Sequence, residues 1–317
     1  MNVVSKNFDL FLIKFPIIFP IIYCFFLYTY PTTENFIIYL TILILAEPHF
    51  GATWPFFINS KNKKYILENK ISLIIIPFSI VGFCILGFFL FLSFFLLVFF
   101  AANIFHVTRQ SLGICKLYEQ NKENIIYTEY LLYIFNLLFF LVGIFRFYIP
   151  IINDNYFFEL NISFLVLFIV TFILTLIKYK NLESVLTLFT GILIFYPICF
   201  VENPVHAILM GVTMHYTQYL ALTYKVTSKR IVNNQLSENN FDLKNIINYK
   251  FIFFLLIYSI FMTIFSFYGK NPAPYLKNLL LIPVTAQMLH FYIDSQLWKF
   301  SIKFNRENVL KYIFEKW

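Results

Sequence analysis

Four of the five histidines lie well inside long apolar segments of the sequence. They are His49 in AEPHFGAT, His106 in NIFHVTRQ, His215 in GVTMHYTQY and His290 in QMLHFYID. An ionisable side chain deep in a membrane is costly, and it indicates a functional site that faces the interior of a helix bundle. Because imidazole is a ligand for iron, copper, nickel and zinc, the four rings predict a metal centre.

The four histidines have nearly the same depth. Each lies nine or ten residues before the first basic or loop residue at one end of its apolar segment, which is Asn59, Lys116, Lys225 or Lys299. At 1.5 Å of rise per residue, the side chains are about 14–15 Å from that end, close to the middle of a bilayer. Equal depth on four helices that run in the same direction predicts that the rings meet on one ion, at about 2.0–2.2 Å from each nitrogen.

Each of these histidines has polar neighbours about one helical turn away. They are Glu47 and Thr53 by His49, Arg109 and Gln110 by His106, Gln218 and Tyr219 by His215, and Gln287 and Asp294 by His290. A metal-bound imidazole usually donates its other N–H to a carboxylate, amide or carbonyl, which fixes its tautomer and orientation. We therefore predict that Glu47, Gln110, Gln218 and Asp294 orient the rings. Arg109 has two interpretations, as half of a buried ion pair with Asp294 or as the partner of an anionic substrate group.

His206 differs from the other four histidines. It follows Asn203 and Pro204 at a predicted helix start, and it lies nine residues, about half a helical rotation, from His215. This position favours a capping or interfacial role. Without a metal, the four deep histidines would instead form hydrogen bonds between helices or line a polar pathway.

The composition is that of a membrane protein. Hydrophobic residues make up 60% of the 317 residues and charged residues only 13%, whereas soluble domains are about a quarter charged. Cutting the apolar runs at charges, prolines and Asn clusters predicts an all-α bundle of about ten transmembrane helices, in a single integral membrane domain over residues 1–317. The predicted spans are 8–29, 34–57, 71–87, 89–116, 128–149, 157–178, 184–200, 204–225, 249–268 and 275–298.

The distribution of lysine and arginine predicts the orientation. With ten spans, 19 positive residues fall on the N-terminal side of the membrane and only Arg146, Lys270 and Lys277 on the other side. Because cytoplasmic loops carry an excess of Lys and Arg, both termini are predicted to be cytoplasmic. The connector at 226–248 and the tail at 299–317 then lie in the cytoplasm, and the expected location is the inner or plasma membrane of a bacterium.

No feature of the sequence indicates a soluble enzyme or a nucleic-acid-binding protein. The net charge of +8 lies mainly in loops that orient the chain, so we expect the bilayer and an apolar small molecule as partners and no nucleic acid. The four cysteines, Cys24, Cys84, Cys115 and Cys199, form no C-x-x-C pair and are interpreted as small apolar residues. Neither a Gly-rich phosphate loop nor a G-x-S-x-G motif is present, so the chemistry is expected inside the bundle.

Three motifs resemble those of the Brp/Blh family of membrane β-carotene 15,15′-dioxygenases. PHFGAT at 48–53 is similar to the P-H-G-A-L-D motif of that family, FHVTRQ at 105–110 to its I-H-F-G motif, and LHFYID at 289–294 to its final P-H-x-x-x-x-D motif. The gaps of 57 and 109 residues that separate His49, His106 and His215 also resemble the layout of the family.

The resemblance implies Fe(II) ligands at His49, His106 and His215. Tyr219 stands where the family has the second histidine of H-x-x-x-H, so either Tyr219 ligates iron, His290 completes the set, or the site has lost the cleavage activity. Together with the histidines, the resemblance leads us to expect a non-haem iron oxygenase that acts on a carotenoid or another isoprenoid, with Tyr219 and Asp294 among its catalytic residues.

Two other functions use the same residues. A transporter or channel for a metal or a proton would use the buried histidines as a pathway, but it predicts polar residues along a whole axis instead of at one level. A di-metal hydroxylase or desaturase would need clustered H-x-x-H or H-x-x-x-H pairs, and the sequence has none.

Overall fold

The computed structural model describes residues 3–55, 62–149, 151, 156–236, 249–270 and 274–314, and all regular secondary structure in these ranges is helical. The all-α prediction is therefore confirmed at this level. The helices are α1 (Lys6–Lys14), α2 (Ile18–Thr29), α3 (Glu34–Thr41), α4 (Glu47–Gly51), α5 (Lys63–Glu68), α6 (Ile71–Leu90), α7 (Leu92–Tyr118), α8 (Lys122–Tyr148), α9 (Phe157–Tyr179), α10 (Leu182–Leu193), α11 (Pro204–Leu236), α12 (Tyr249–Gly269), α13 (Pro274–Lys277), α14 (Leu281–Leu297), α15 (Lys303–Asn305) and α16 (Lys311–Phe314).

Within the described ranges, five helices are long and apolar enough to cross a membrane: α6, α7, α8, α9 and α12. A sixth span results if α1 and α2, which meet at a bend of 53°, count as one broken span. Their outer faces carry large exposed apolar side chains, such as Phe78, which is 74% exposed, and Phe158. An apolar surface of this extent is suited to the acyl chains of a bilayer, as expected of an integral membrane protein.

Several predicted spans are shorter or longer than the sequence suggested. The break predicted near Gly87 falls at Phe91, where the backbone leaves helical geometry between α6 and α7. The predicted span 184–200 is a helix of 12 residues, α10, followed by a 3₁₀ turn at Tyr196–Cys199 that contains Pro197. Proline lacks the amide proton that a continuing helix would need.

The polar connector predicted at 226–248 begins as helix. α11 continues to Leu236 because residues past the predicted span end, such as Val226 and Ser228, remain buried. Residues 237–248 of that connector lie outside the described residues, as do Asn59 and positions 315–317 of the predicted tail.

The chain divides into two compact units, and α3, α7 and α11 contribute residues to both. Unit 1 comprises residues 1–38 and 103–218, and in it α10 packs against α8 and α9. The end of α1 is fixed by side chains, because the Ile13 carbonyl accepts a hydrogen bond from Gln218 Nε2 at 2.6 Å and the Lys14 carbonyl accepts one from Thr190 Oγ1 at 2.7 Å. Because the helix breaks at the bend, these two carbonyls lack backbone amide partners within α1, and the side chains supply the hydrogen bonds instead.

A buried charge cluster lies beside the same bend. Lys14 Nζ is 2.7 Å from Glu183 Oε2 and lies over the ring of Tyr118, 4.8 Å from its centroid. The Tyr118 hydroxyl donates to Asp9 at 2.8 Å, and Asp9 also accepts from two backbone amides at the start of the chain. The lysine is thus buried with its charge paired, which the cost of burying a lone ion requires.

Unit 2 comprises residues 39–102 and 219–317. In it α6 packs against α14, and α4 packs against α12. The ring of Tyr258 on α12 lies against Gly51 at 2.7 Å from the position a Cβ would take, so glycine permits this approach. At one end of the unit, α5 and α15 meet through Tyr65 and Phe304, whose rings stack at 4.0 Å.

Candidate metal centre

His106 and His215 form a buried pair in unit 1. His106 lies on α7 and His215 on α11, both nearly inaccessible to solvent. Their ring centroids are 5.4 Å apart at an interplanar angle of 88°, and a nitrogen of each lies within 4.8 Å of the other. Small side-chain rotations bring two nitrogens at this separation onto one ion at about 2.0–2.1 Å.

A glycine one turn before His215 sets how closely α11 packs. A Cβ on Gly211 would collide with the carbonyl oxygen of Ile194, at the end of α10. Only glycine allows this approach of helix to backbone. The position of His215 in unit 1 therefore depends on the absence of a side chain at residue 211.

Gln218 lies one turn after His215 and is buried. Its amide nitrogen donates to the Ile13 carbonyl at 2.6 Å, so the broken end of α1 determines which way the amide points. The sequence predicts that Gln218 orients an imidazole, and the contact with Ile13 holds the Gln218 side chain in place. Sequence inspection alone offers no signal for this contact, because Ile13 contributes only its carbonyl.

In unit 2, His49 follows a local change of helical register. A π turn over Ile42–Ala46 separates α3 from α4, and the Glu47 amide donates to the Ile42 carbonyl five residues back. Pro48 supplies no amide proton, and the wider turn accommodates it within a continuous helical path. Single π turns of this kind are frequent at functional sites.

His49, Tyr219 and His290 form a compact buried cluster. The His49 ring lies 4.5 Å from the Tyr219 ring and 4.5 Å from the His290 ring, measured between centroids, and all three contacts in the cluster are edge to face. The three residues come from α4, α11 and α14. The structure thus brings together two of the four predicted ligands in unit 2 and the other two in unit 1.

A chain of hydrogen bonds leads from His290 to Asp294. Thr53 Oγ1 lies 2.8 Å from His290 Nδ1 and 2.7 Å from the Tyr219 hydroxyl. The Tyr219 hydroxyl is also hydrogen-bonded to Asp294, whose Oδ1 accepts from Trp298 Nε1 at 2.7 Å. In the sequence, Thr53 is a polar neighbour of His49, and no sequence pattern predicts its contact with His290.

The direction of this chain determines the tautomer of His290. An ionised Asp294 can only accept, so Tyr219 donates to it. Tyr219 has no second proton, so Thr53 must donate to Tyr219. His290 Nδ1 must in turn donate to Thr53. A neutral His290 then has its lone pair on Nε2, which is the form that binds a metal.

Three other predicted neighbours take different positions. The Glu47 side chain is buried and hydrogen-bonded to Gln287, about half a helical rotation from His49 on its own helix. Gln110 is partly buried on α7, whereas Arg109 is exposed. The interpretation of Arg109 as a buried ion-pair partner of Asp294 is therefore wrong, because Arg109 lies on the outer face of α7.

His206 bridges three elements of unit 1. Its Nδ1 lies 2.7 Å from the Tyr23 hydroxyl, and its Nε2 lies 3.6 Å from Glu34, which is half exposed. The helix cap is supplied by Asn203, whose side chain accepts from the Val205 amide at 2.9 Å. His206 therefore holds helices together at the start of α11 and does not cap it.

The donors in both clusters fit a divalent transition metal. Unit 1 offers two imidazoles, and unit 2 offers His49 and a His290 ring whose Nε2 lone pair faces away from its hydrogen-bond chain. In unit 2, a nitrogen of His290 and a carboxylate oxygen of Asp294 also lie within 4.8 Å of each other. Imidazole with carboxylate is the donor set of non-haem iron sites. Comparison with protein families, with curated proteins and with solved structures found no match to this chain.

Proposed function

We propose that this chain is a membrane-embedded, non-haem iron oxygenase that acts on a lipophilic polyene. The observation that carries the proposal is the pairing of the deep histidines: His106 lies beside His215, and His49 lies beside His290. Burying four imidazoles at mid-membrane depth is costly, and such a cost is typical of functional sites.

In this proposal the deep histidines are Fe(II) ligands. Their equal depth in the sequence supports this shared role. Iron with open coordination positions supplies the means to activate O₂ beside a bound substrate. The protein side chains orient the ligands. Thr53 fixes the tautomer of His290, and Tyr219 connects Thr53 to Asp294 through hydrogen bonds. Because the Tyr219 hydroxyl is engaged in these hydrogen bonds, we assign it an orienting role in preference to ligation.

The substrate class follows from two considerations. A site at mid-membrane depth is reached most directly from the acyl-chain region, which favours an apolar molecule. The resemblance of PHFGAT, FHVTRQ and LHFYID to the motifs of the Brp/Blh family supports a carotenoid or another isoprenoid polyene. The second consideration is an analogy that rests on short motifs, and here we use it only to choose the substrate class.

The proposal includes the finer membrane topology. Ten spans with both termini in the cytoplasm, in the inner or plasma membrane of a bacterium, account for the strong asymmetry of Lys and Arg. Single cysteines placed at the start of the chain and in the 226–248 connector should react with a membrane-impermeant thiol reagent only after the cells are opened. Labelling of either position in intact cells would reverse the topology.

Iron content is the first test of the site. We expect one iron per chain in protein purified from iron-supplied cells, and loss of that iron when any one of His49, His106, His215 or His290 is changed to Ala. The matched control is His206→Ala, which should keep the iron. Two ions per chain, with variants in one unit leaving the other ion bound, would replace the single centre by two separate sites.

Turnover is the second test. Iron-loaded protein in lipid should consume O₂ and cleave or oxidise β-carotene or a shorter polyene, and His215→Ala should abolish both. Flux of iron or protons through proteoliposomes, together with no O₂ consumption on any polyene, would exclude the oxygenase and favour the transport function.

A further inference from the structure

Unit 2 carries a concentration of exposed lysines at one end. The segments 62–70 and 299–314 expose six of them, and we name this set the basic collar: Lys63, Lys64, Lys70, Lys299, Lys303 and Lys311. Within residues 62–70 and 299–314, only Glu68 and Glu307 oppose them. The surface therefore has a strong positive excess.

The acidic residues neutralise the basic collar only weakly. Glu68 lies 3.9 Å from Lys64, and Glu307 lies 3.7 Å from Lys303, each pair one turn apart on a helix. All four side chains are more than half exposed, and exposed pairs of this kind contribute little. Both lysines remain available to a stronger anion.

The lysines are held on a fixed support. The rings of Tyr65 and Phe304 stack at 4.0 Å and an interplanar angle of 3°. Asn305 donates to the Gln296 carbonyl at 2.6 Å, and Arg306 donates to the Phe300 and Ser301 carbonyls. These contacts close the turn after α14, so the two lysine-bearing segments keep a defined spacing.

The segment 303–314 is amphipathic. Asn305, Val309 and Ile313, spaced by four residues, are buried, while Lys303 and Lys311 point outward. The buried side chains fix this segment to unit 2, so its outer face is the basic one.

The basic collar adjoins the end of a helix that is long and apolar enough to cross a membrane. Lys70 directly precedes the first residue of the membrane-crossing helix α6, and Lys299 follows the end of α14 by two residues. Exposed apolar side chains accompany the lysines, namely Leu67, Ile71 and Phe314. Apolar side chains among lysines suit a lipid surface, whereas a nucleic acid or a free anion would not require them.

We propose that the basic collar binds the headgroups of anionic phospholipids in the leaflet that surrounds this end of unit 2. The lysine ammonium groups pair with lipid phosphates, and the apolar side chains enter the acyl boundary. The partner is a lipid with a net negative headgroup, such as phosphatidylglycerol. The proposal is independent of the metal centre and of any catalytic activity.

The test compares lipid binding by two sets of lysine variants of the full chain. The purified protein in neutral detergent is incubated with equal amounts of phosphatidylglycerol and phosphatidylcholine, and native mass spectrometry counts the retained lipids. The collar variant is Lys63→Gln, Lys70→Gln and Lys311→Gln. The control removes the same charge from exposed lysines of unit 1, as Lys6→Gln, Lys122→Gln and Lys180→Asn, where Asn tolerates the positive φ of 52° at residue 180.

We expect the wild-type chain and the control to prefer phosphatidylglycerol, and the collar variant to lose this preference by about fivefold per lysine. Equal retention of both lipids by the wild type, or equal losses in both variants, would overturn the proposal. Displacement of the lipid by inorganic phosphate at matched charge would also overturn it, in favour of a free-anion site. If the collar variant does not fold, a salt titration of the wild type decides, because the preference must fall as salt screens exposed charges.

Discussion

The Thr53 hydroxyl lies 2.8 Å from Nδ1 of His290. This single contact joins a residue four positions after one predicted ligand to the ring of another predicted ligand, 237 positions further along the chain. It gives His290 a defined tautomer, and it makes Thr53 a positioning residue of the candidate centre.

Removing the Thr53 hydroxyl should weaken metal binding. In Thr53→Val, which keeps the shape, His290 loses the acceptor that fixes its tautomer, and we expect a loss of metal affinity of about 10- to 100-fold. Thr53→Ser should retain most of the affinity. Competition with a chelator of known affinity measures both.

Thr175→Val is the matched control for loss of a buried hydroxyl. Its hydroxyl donates to the Thr171 carbonyl of its own helix, so metal affinity should not change. Equal affinity of Thr53→Val and the wild type would remove Thr53 from the site.

The ion pair between Lys14 and Glu183 should respond asymmetrically to mutation. Lys14 is fully buried, whereas Glu183 is 37% exposed. Glu183→Gln removes the ionised partner of a buried cation and should cost about 3 kcal/mol. Lys14→Met leaves a carboxylate that water can reach and should cost about 1 kcal/mol or less. Thermal unfolding in detergent ranks the two, and the reverse order would contradict the assigned burial.

Two glycine-to-alanine substitutions should have opposite effects. In Gly211→Ala the new Cβ meets the Ile194 carbonyl, so we expect a destabilisation of about 1–3 kcal/mol and a weaker metal site through displacement of His215. In Gly113→Ala the Cβ has open space, and the better helix propensity of alanine should stabilise by up to about 1 kcal/mol. Unfolding midpoints of the two variants provide the comparison, and a stable Gly211→Ala would refute the close approach.

Tyr23 and His206 should matter for stability and not for metal binding. Tyr23→Phe removes the hydroxyl that lies 2.7 Å from His206 Nδ1, and loss of one partner of a buried hydrogen bond costs about 1–3 kcal/mol. Iron content should stay unchanged. The control is Tyr30→Phe, an exposed tyrosine. Loss of iron in Tyr23→Phe would mean that His206 belongs to the metal centre after all.

The burial of the histidines was predictable from the sequence, but their hydrogen bonds were not. Each of the four deep histidines stands out as an ionisable residue within an apolar run. The distance from the histidine to the end of its run is enough to estimate its depth. The partner of His290 is different, because Thr53 looks like any small residue of a membrane helix. Only the packing of α4 against the other helices of unit 2 brings its hydroxyl to the ring.

The direction in which the polar neighbours of the histidines face could not be predicted from the sequence either. In a membrane helix the outward face is as apolar as the inward face, so the pattern that locates the core of a soluble helix is weak. Arg109 and His106 are three residues apart on α7, yet Arg109 is exposed and His106 is buried. Glu47 and His49 are both buried, but their side chains leave α4 in different directions, since two residues correspond to about 200° of rotation.

The helix boundaries deviated where backbone chemistry interrupts apolar runs. α10 is only 12 residues long because Pro197 follows it in a 3₁₀ turn, although hydropathy continues to Phe200. Conversely, Val226 to Leu236 reads as a polar connector but continues α11. The composition of a segment indicates whether it can lie in lipid. Where its helix ends depends on the available amide donors and on the burial of side chains.

The bend after Lys14 also has a consequence for biosynthesis. α1 leaves the ribosome well before Glu183, Thr190 and Gln218, which contact its lysine and its last two carbonyl groups. At a synthesis rate of about 5–20 residues per second, these partners emerge roughly 10–40 s later. During that interval α1 lacks the hydrogen bonds and the ion pair that these three residues supply in the folded protein. We therefore expect α1 to reach its final position only after α10 and the first half of α11 have been synthesised.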